Sequence, residues 1–120
     1  MTFVTKQLGI DGEKIACEYL SENGFKILHK NFKTKLGEVD IIAEKSKKIH
    51  FIEVKTRISD KYKPYESVNS KKINKIKSVL YFYSKINKLE REKFSIDIFS
   101  IIYNSYKKTF NLKIFENVTN

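Results

Sequence analysis

The sequence has few cysteines, prolines and glycines, the residues that cross-link a chain or interrupt its secondary structure. Its single cysteine, Cys17, excludes an internal disulfide, which is typical of proteins in a reducing cytoplasm. Its single proline, Pro64, marks no domain boundary, and its four glycines form no phosphate-binding loop of the Walker or dinucleotide type. We therefore expect a single domain over residues 1–120, located in the cytoplasm.

Long apolar runs and metal-binding patterns are also missing. No segment approaches the roughly 18 apolar residues that cross a bilayer, and residues 1–6 lack the apolar stretch of a signal peptide. We expect no association with a membrane. His29, His50 and Cys17 are not spaced as zinc ligands. We expect both histidines at strand surfaces and Cys17 as a small buried side chain.

Acidic residues are outnumbered by basic ones. The chain has 24 Lys and Arg against 14 Asp and Glu, which gives a formal net charge of +10. Such an excess favours a polyanionic partner, and phosphate contacts to nucleic acid are its usual use. Lysine, asparagine and isoleucine are abundant throughout the chain, so the base composition of the genome is an alternative reason for the charge.

The apolar pattern that is present predicts two helices and five strands. Helical spacing predicts helices over residues 7–23 and 68–87, and Asn23-Gly24 is a stop signal for the first. Alternating or β-branched stretches predict strands over residues 25–33, 38–43, 49–56, 94–103 and 109–115. Residues 58–67 form a basic and aromatic loop, which suits either phosphate contacts or an ordinary connection.

The stretch that organises the rest is residues 37–57, which read GEVDIIAEKSKKIHFIEVKTR. It predicts two strands joined by a polar loop over residues 44–48. Because strand side chains alternate between faces, one face of the first strand carries Glu38, Asp40 and Ile42, and the other carries Val39, Ile41 and Ala43. One face of the second strand carries Phe51, Glu53, Lys55 and Arg57.

A hairpin loop of even length, centred between Ser46 and Lys47, places Asp40 opposite Glu53. Like charges in directly opposed positions destabilise a sheet, so we expect something to compensate the repulsion between these two carboxylates. A divalent cation would do so, because Mg²⁺ takes carboxylate oxygens together with waters and substrate phosphates. A loop of odd length would move the two carboxylates to opposite faces. A solvated face with ordinary charges is the other alternative.

These residues carry a family resemblance. An acidic residue followed at a short interval by Glu-x-Lys is the signature of PD-(D/E)XK nucleases, and here it is Asp40 and then Glu53-Val54-Lys55. Together with GIDGE at residues 9–13, the segments GEVDIIA and FIEVKTR make the chain resemble the YraN-like family of small endonuclease-like proteins, from about Gly9 to Ile98. The resemblance implies an α/β fold with a restriction-endonuclease-like core, a central mixed sheet of about five strands flanked by two helices.

The resemblance also implies roles for single residues. Asp40, Glu53 and Lys55 would be catalytic, and Asp40, Glu53 and Glu13 would hold Mg²⁺ or Mn²⁺. Nucleic acid would contact Arg57, Lys71 and Lys72, while Glu38 and Asp97 are possible accessory residues. Asp97 stands in the family's Arg-Phe-Asp-Val stretch, but Ser95 and Ile96 replace the arginine and the aromatic residue, so no role follows through that arginine.

Two classes of function remain open. One is a metal-dependent endonuclease that hydrolyses DNA phosphodiester bonds, with branched or structured DNA suggested only by analogy to archaeal Holliday-junction resolvases. The other is a non-catalytic nucleic-acid-binding module on the same scaffold. A homodimer fits the first, because cutting both strands of a duplex needs two sites, although no residue requires it.

Overall fold

A five-stranded sheet covered by two helices forms the fold of this computed structural model, which describes residues 3–58, 70–88 and 93–119. The predicted loop over residues 58–67 and the first residues of the second predicted helix lie outside this range, except for Ile58. The elements in chain order are α1 (Phe3–Glu22), β1 (Lys26–Thr34), β2 (Gly37–Lys45), β3 (Lys48–Ile58), α2 (Ser70–Ile86), β4 (Phe94–Asn104) and β5 (Thr109–Phe115).

The strands lie in chain order, β1-β2-β3-β4-β5. All neighbouring pairs are antiparallel except β3 and β4, which are parallel because the chain passes through α2 between them. This confirms the predicted α/β class and a mixed sheet of five strands with two helices, which is consistent with a restriction-endonuclease-like core. None of the helices that the structure describes is long and apolar enough to cross a membrane.

Each helix covers one face of the sheet with its own apolar cluster. On the α1 face the buried residues are Ala16, Cys17, Leu20, Phe25, Ile41, Ala43, Ile52, Phe99 and Ile101. On the α2 face they are Val39, Ile42, Ile49, Phe51, Ile76, Val79, Tyr83 and Ile96. Burial of Cys17 confirms the expectation of a small apolar role for this residue.

The turn between β2 and β3 has two residues. Lys45 pairs with Lys48, and Ser46 and Lys47 both take the left-handed conformation, with φ of 51° and 66°. Two consecutive positive φ values are what a two-residue hairpin turn of type I′ requires. The even loop and the opposition of Ile42 to Phe51 are therefore confirmed.

The end of α1 follows from its glycine. Gly24 has φ of 88°, and Phe25 N donates to Leu20 O at 2.9 Å, which closes the last turn of the helix. At its other end the helix begins at Phe3, four residues before the predicted start at Gln7. After the helix ends, the chain reverses directly into β1. This reversal places α1 across the sheet face that carries Ile41 and Ile52.

Candidate functional site

The hydrogen-bonded ladder between β2 and β3 ends at the pair Ile41 and Ile52. The next residues beyond that end are Asp40 on β2 and Glu53 on β3. There the Asp40 carboxylate accepts a hydrogen bond from the backbone N–H of Val54 at 2.8 Å. The carboxyl group of Glu53, the residue before Val54, lies close enough to Asp40 for the two groups to affect each other's pKa. The end of the ladder thus holds two interacting carboxyl groups, each placed by its own strand.

The predicted alternation of β2 is wrong at one position near this pair. Val39 was expected on the face of Ile41 and Ala43, but it packs in the cluster on the α2 face together with Ile42. The change of face between Val39 and Ile41 falls at Asp40, where the ladder with β3 has ended and the carboxylate is bonded to the β3 backbone at Val54.

Burial makes the pair unfavourable as two bare anions. Glu53 is only 5% exposed, and burial, followed by the nearby Asp40 charge, raises its pKa from 4.5 to about 7. Burial also raises the pKa of Asp40, against the opposing effects of the Val54 N–H and of Lys72 and Lys55. The pair therefore holds a proton near neutral pH, which a bound cation would displace.

Two lysines lie close to the pair. Lys72 of α2 places its Nζ 3.2 Å from Oε1 of Glu53. Lys55, two residues beyond Glu53 on β3, is half-buried, and its charge lowers the pKa of both carboxyl groups. The chemistry of this donor set fits a hard divalent cation such as Mg²⁺ or Mn²⁺, since such ions often take only one or two protein carboxylates beside waters and phosphates.

Glu13 of α1 lies at the margin of the pair. It lines a cleft of about 350 Å³ together with Asp40 and Lys30. Burial and the Asp40 charge raise the pKa of Glu13, and a hydrogen bond from Asn31 opposes them. Within the described part of the chain, Glu13 does not join the pair in a three-residue group with ligand atoms within 4.8 Å of one another.

A second cleft, of about 460 Å³, opens on the Lys72 side of the pair. The turn between β1 and β2 forms one wall, and α2 forms the other. The lining residues are Lys33, Thr34, Lys35, Leu36, Gly37, Glu38, Lys72 and Lys75. We call this cleft the basic groove. Four of its eight residues are lysines and one is acidic, so it attracts anions.

Comparison with known proteins places the chain in a family. The family model described as "Uncharacterised protein family UPF0102" matches residues 12–101. The chain belongs to this family. It is 41% identical over 113 residues to a UPF0102 protein of Clostridium novyi (strain NT), a match that covers 93% of this chain and 94% of the relative.

Two further relatives match over similar lengths. A UPF0102 protein of Clostridium tetani is 38% identical over 118 residues, covering 98% of this chain and 97% of its own. One of Campylobacter lari is 42% identical over 112 residues, covering 92% of each. The resemblance to the YraN-like family is thereby confirmed at the level of UPF0102 membership.

The remaining predicted site residues of this UPF0102 protein lie in different surroundings. Arg57 donates from Nη1 to the backbone oxygen of Thr56 at 2.8 Å. Lys71 and Glu38 are exposed, the latter in the wall of the basic groove. Of the two neighbouring lysines predicted to contact nucleic acid, only Lys72 contacts Glu53.

Asp97 lies apart from the pair, in a buried network of its own. It is fully buried and accepts hydrogen bonds from Ser95 Oγ and from the backbone N–H of Asn117. Its other oxygen contacts His50 Nδ1. The expectation of a surface position for His50 is therefore wrong, because Asp97 on the neighbouring strand supplies a buried partner; His50 is 5% exposed. His29 is exposed, as expected.

The basic groove of this UPF0102 protein is not among the sequence predictions, which give no role to Lys33, Lys35 or Lys75. A signal for the first two was present, since Lys33 lies just before the turn that leads into the acidic strand and Lys35 lies within that turn. No pattern in α2 alone distinguishes Lys75 from the other lysines of that helix.

Proposed function

We propose that this UPF0102 protein is a metal-dependent endonuclease of the PD-(D/E)XK type that hydrolyses phosphodiester bonds in DNA. The observation that carries the proposal is the position of Asp40 beside Glu53 at the end of the β2–β3 ladder, where the Asp40 carboxylate is bonded to Val54 N and interacts with the Glu53 carboxyl group. Lys55 supports it, because it follows Glu53 by two residues and its charge acts on both members of the pair.

Each residue has a role that its surroundings support. Asp40 and Glu53 would hold Mg²⁺ or Mn²⁺, and their shared proton would leave on binding. The ion would acidify a bound water and neutralise charge on the phosphate. Lys55 would orient the attacking water and stabilise the charge that develops on the phosphate oxygens. Glu13 would hold a further water at the margin of the site.

The charge of the molecule supports DNA as the substrate. The net charge is +10, and the basic groove reaches Glu53 through Lys72. A phosphate backbone bound in the groove would place a phosphate near the carboxyl pair, since Lys72 lines the groove and also contacts Glu53. A homodimer would bring two such sites to a duplex.

The alternative is a non-catalytic module that binds nucleic acid. The ion pair between Lys72 and Glu53 favours it, because Lys72 already neutralises the carboxylate that a cation would need. In that case the lysines and the carboxyl pair stabilise the fold, and only the basic surface acts on DNA.

The two functions differ in a cleavage screen. Single-stranded, duplex and four-way DNA are incubated with Mg²⁺, Mn²⁺ or EDTA, using the wild type, Asp40→Asn, Lys55→Gln and the exposed-charge control Lys107→Gln. The proposal predicts divalent-dependent cleavage that falls by about 100-fold or more in Asp40→Asn and Lys55→Gln, with the control unchanged. Salt-sensitive binding of every DNA with no cleavage under either ion would establish the binding module instead.

A further inference from the structure

The turn between β1 and β2 is held by two hydrogen bonds of one hydroxyl and carries an exposed apolar side chain. Thr34 Oγ1 accepts a hydrogen bond from Leu36 N at 3.0 Å and donates one to Gly37 O at 3.2 Å. One hydroxyl therefore ties both ends of the turn. Leu36, between these two bonds, is nevertheless 50% exposed.

The turn is also anchored to α2. Gly37 has φ of 152°, and a Cβ at this position would lie 3.4 Å from Lys75 Cβ and 3.5 Å from Val79 Cγ2. The backbone of the turn thus packs directly against the helix. This contact fixes the distance between the two walls of the basic groove.

Exposure of one leucine is ordinary on a protein surface, but the neighbours of Leu36 are not typical. Lys33 and Lys35 both precede it closely in sequence, and Lys75 lines the opposite wall of the groove. Among the described residues, none of these three lysines forms an ion pair. An apolar side chain among unpaired cations suits a ligand that has both anionic groups and apolar surfaces. A nucleic acid strand has both, in its phosphates and in the faces of its bases.

From this geometry we propose that the basic groove binds DNA beside the cut phosphate, with Leu36 inserted against unstacked bases. Lys33, Lys35 and Lys75 hold the phosphates of the same strand. Apolar wedges such as leucine partially unstack a base step when they bind DNA. The cost of unstacking is least where bases are already unstacked, so the preferred substrate class is DNA with a gap, a branch or a single-stranded end.

This inference rests on the proposed function for the position of the cut, but its test does not require cleavage. Binding is measured in EDTA to a continuous duplex and to a gapped duplex of the same sequence, each with 2-aminopurine at the step next to the gap. We expect the wild type to prefer the gapped DNA by about 10-fold or more, which corresponds to the cost of unstacking one step, and to raise the 2-aminopurine fluorescence.

The variants separate the two parts of the groove. Leu36→Ser should abolish both the preference and the fluorescence rise, while binding to the continuous duplex changes by less than about 2-fold. The double variant Lys33→Gln with Lys35→Gln should weaken binding to both DNAs equally and lower the slope of log K against log salt by about 2. The matched double variant Lys26→Gln with Lys107→Gln, which alters exposed lysines outside the groove, should keep both preference and fluorescence.

Failure of this inference is distinguishable from failure of the nuclease proposal. Equal binding of the two DNAs by the wild type, or a Leu36→Ser protein that keeps the preference, would overturn the wedge even if cleavage occurs. Loss of preference in Leu36→Ser without any cleavage by the wild type would sustain the wedge and overturn the nuclease.

Discussion

Replacing Glu53 by Gln should change how the stability of the metal-free protein depends on pH. Glu53 is 5% exposed, and burial, followed by the nearby Asp40 charge, raises its pKa from 4.5 to about 7. A carboxyl group whose pKa is raised by folding contributes stability that is fully present below pH 4.5. That stability is lost as the pH rises through about 7.

The size of the effect follows from the two pKa values. A tenfold change in proton affinity corresponds to about 1.4 kcal/mol, so the difference between 4.5 and about 7 corresponds to about 3 kcal/mol. Gln does not ionise, so its variant does not undergo this loss. The free energy of unfolding of Glu53→Gln minus that of the wild type should therefore increase by about 3 kcal/mol between pH 4 and pH 8.

Urea unfolding in EDTA at intervals from pH 4 to pH 8 measures this difference directly. The control is Glu18→Gln, which removes an exposed carboxylate of α1. Titrating groups that do not interact with Glu53 are common to all three proteins and cancel in the comparison. A difference between Glu53→Gln and the wild type that stays constant across this range would refute the account of a buried, mutually repelling pair.

Three further perturbations test other parts of the structure. Mn²⁺ should raise the melting temperature of the wild type but not of Asp40→Asn, and at 100 times the dissociation constant the gain is about 2.7 kcal/mol. Asp97→Ala should cost about 3 kcal/mol or more in urea unfolding, because it leaves buried donors without their acceptor. Gly12→Ala should cost about 1–3 kcal/mol, since its Cβ would lie 2.5 Å from Thr56 Cγ2, and Thr56→Ser should restore part of that loss.

Each of these has a result that would contradict it. Equal stabilisation of the wild type and Asp40→Asn by Mn²⁺ would place the ion elsewhere. An Asp97→Ala protein as stable as the wild type would mean that its network contributes nothing to folding. A Gly12→Ala loss that is the same with Thr56 or with Ser at position 56 would exclude the close approach of α1 to β3 as its cause.

The hairpin could be predicted from the sequence because the residues that determine it are close together in the chain. The polar loop set the centre at Ser46 and Lys47, and the apolar Ile42 and Phe51 had to oppose each other. An even register then brought Asp40 to the level of Glu53. The parity of the loop was the open point, and it is decided by two residues in the left-handed conformation, which no apolar pattern encodes.

Other features could not be predicted from the sequence because they depend on contacts between segments that are distant in the chain. The burial of His50 requires Asp97, which lies 47 residues away on β4. Val39 packs on the α2 face next to Asp40, whose carboxylate is bonded to the Val54 backbone 14 residues away on β3. The basic groove exists only where α2 packs against the turn that precedes β2, and that packing depends on the sheet, not on the helix sequence.

Anomalous diffraction from crystals grown with Mn²⁺ would show whether the carboxyl pair binds a metal ion. We expect an anomalous peak within bonding distance of the carboxylates of both Asp40 and Glu53, with Lys72 displaced from its 3.2 Å contact with Glu53. Crystals of Asp40→Asn should lack the peak. Bound Mn²⁺ at another cluster, such as His50, Asp97 and Glu116, with Lys72 still paired to Glu53, would contradict this expectation.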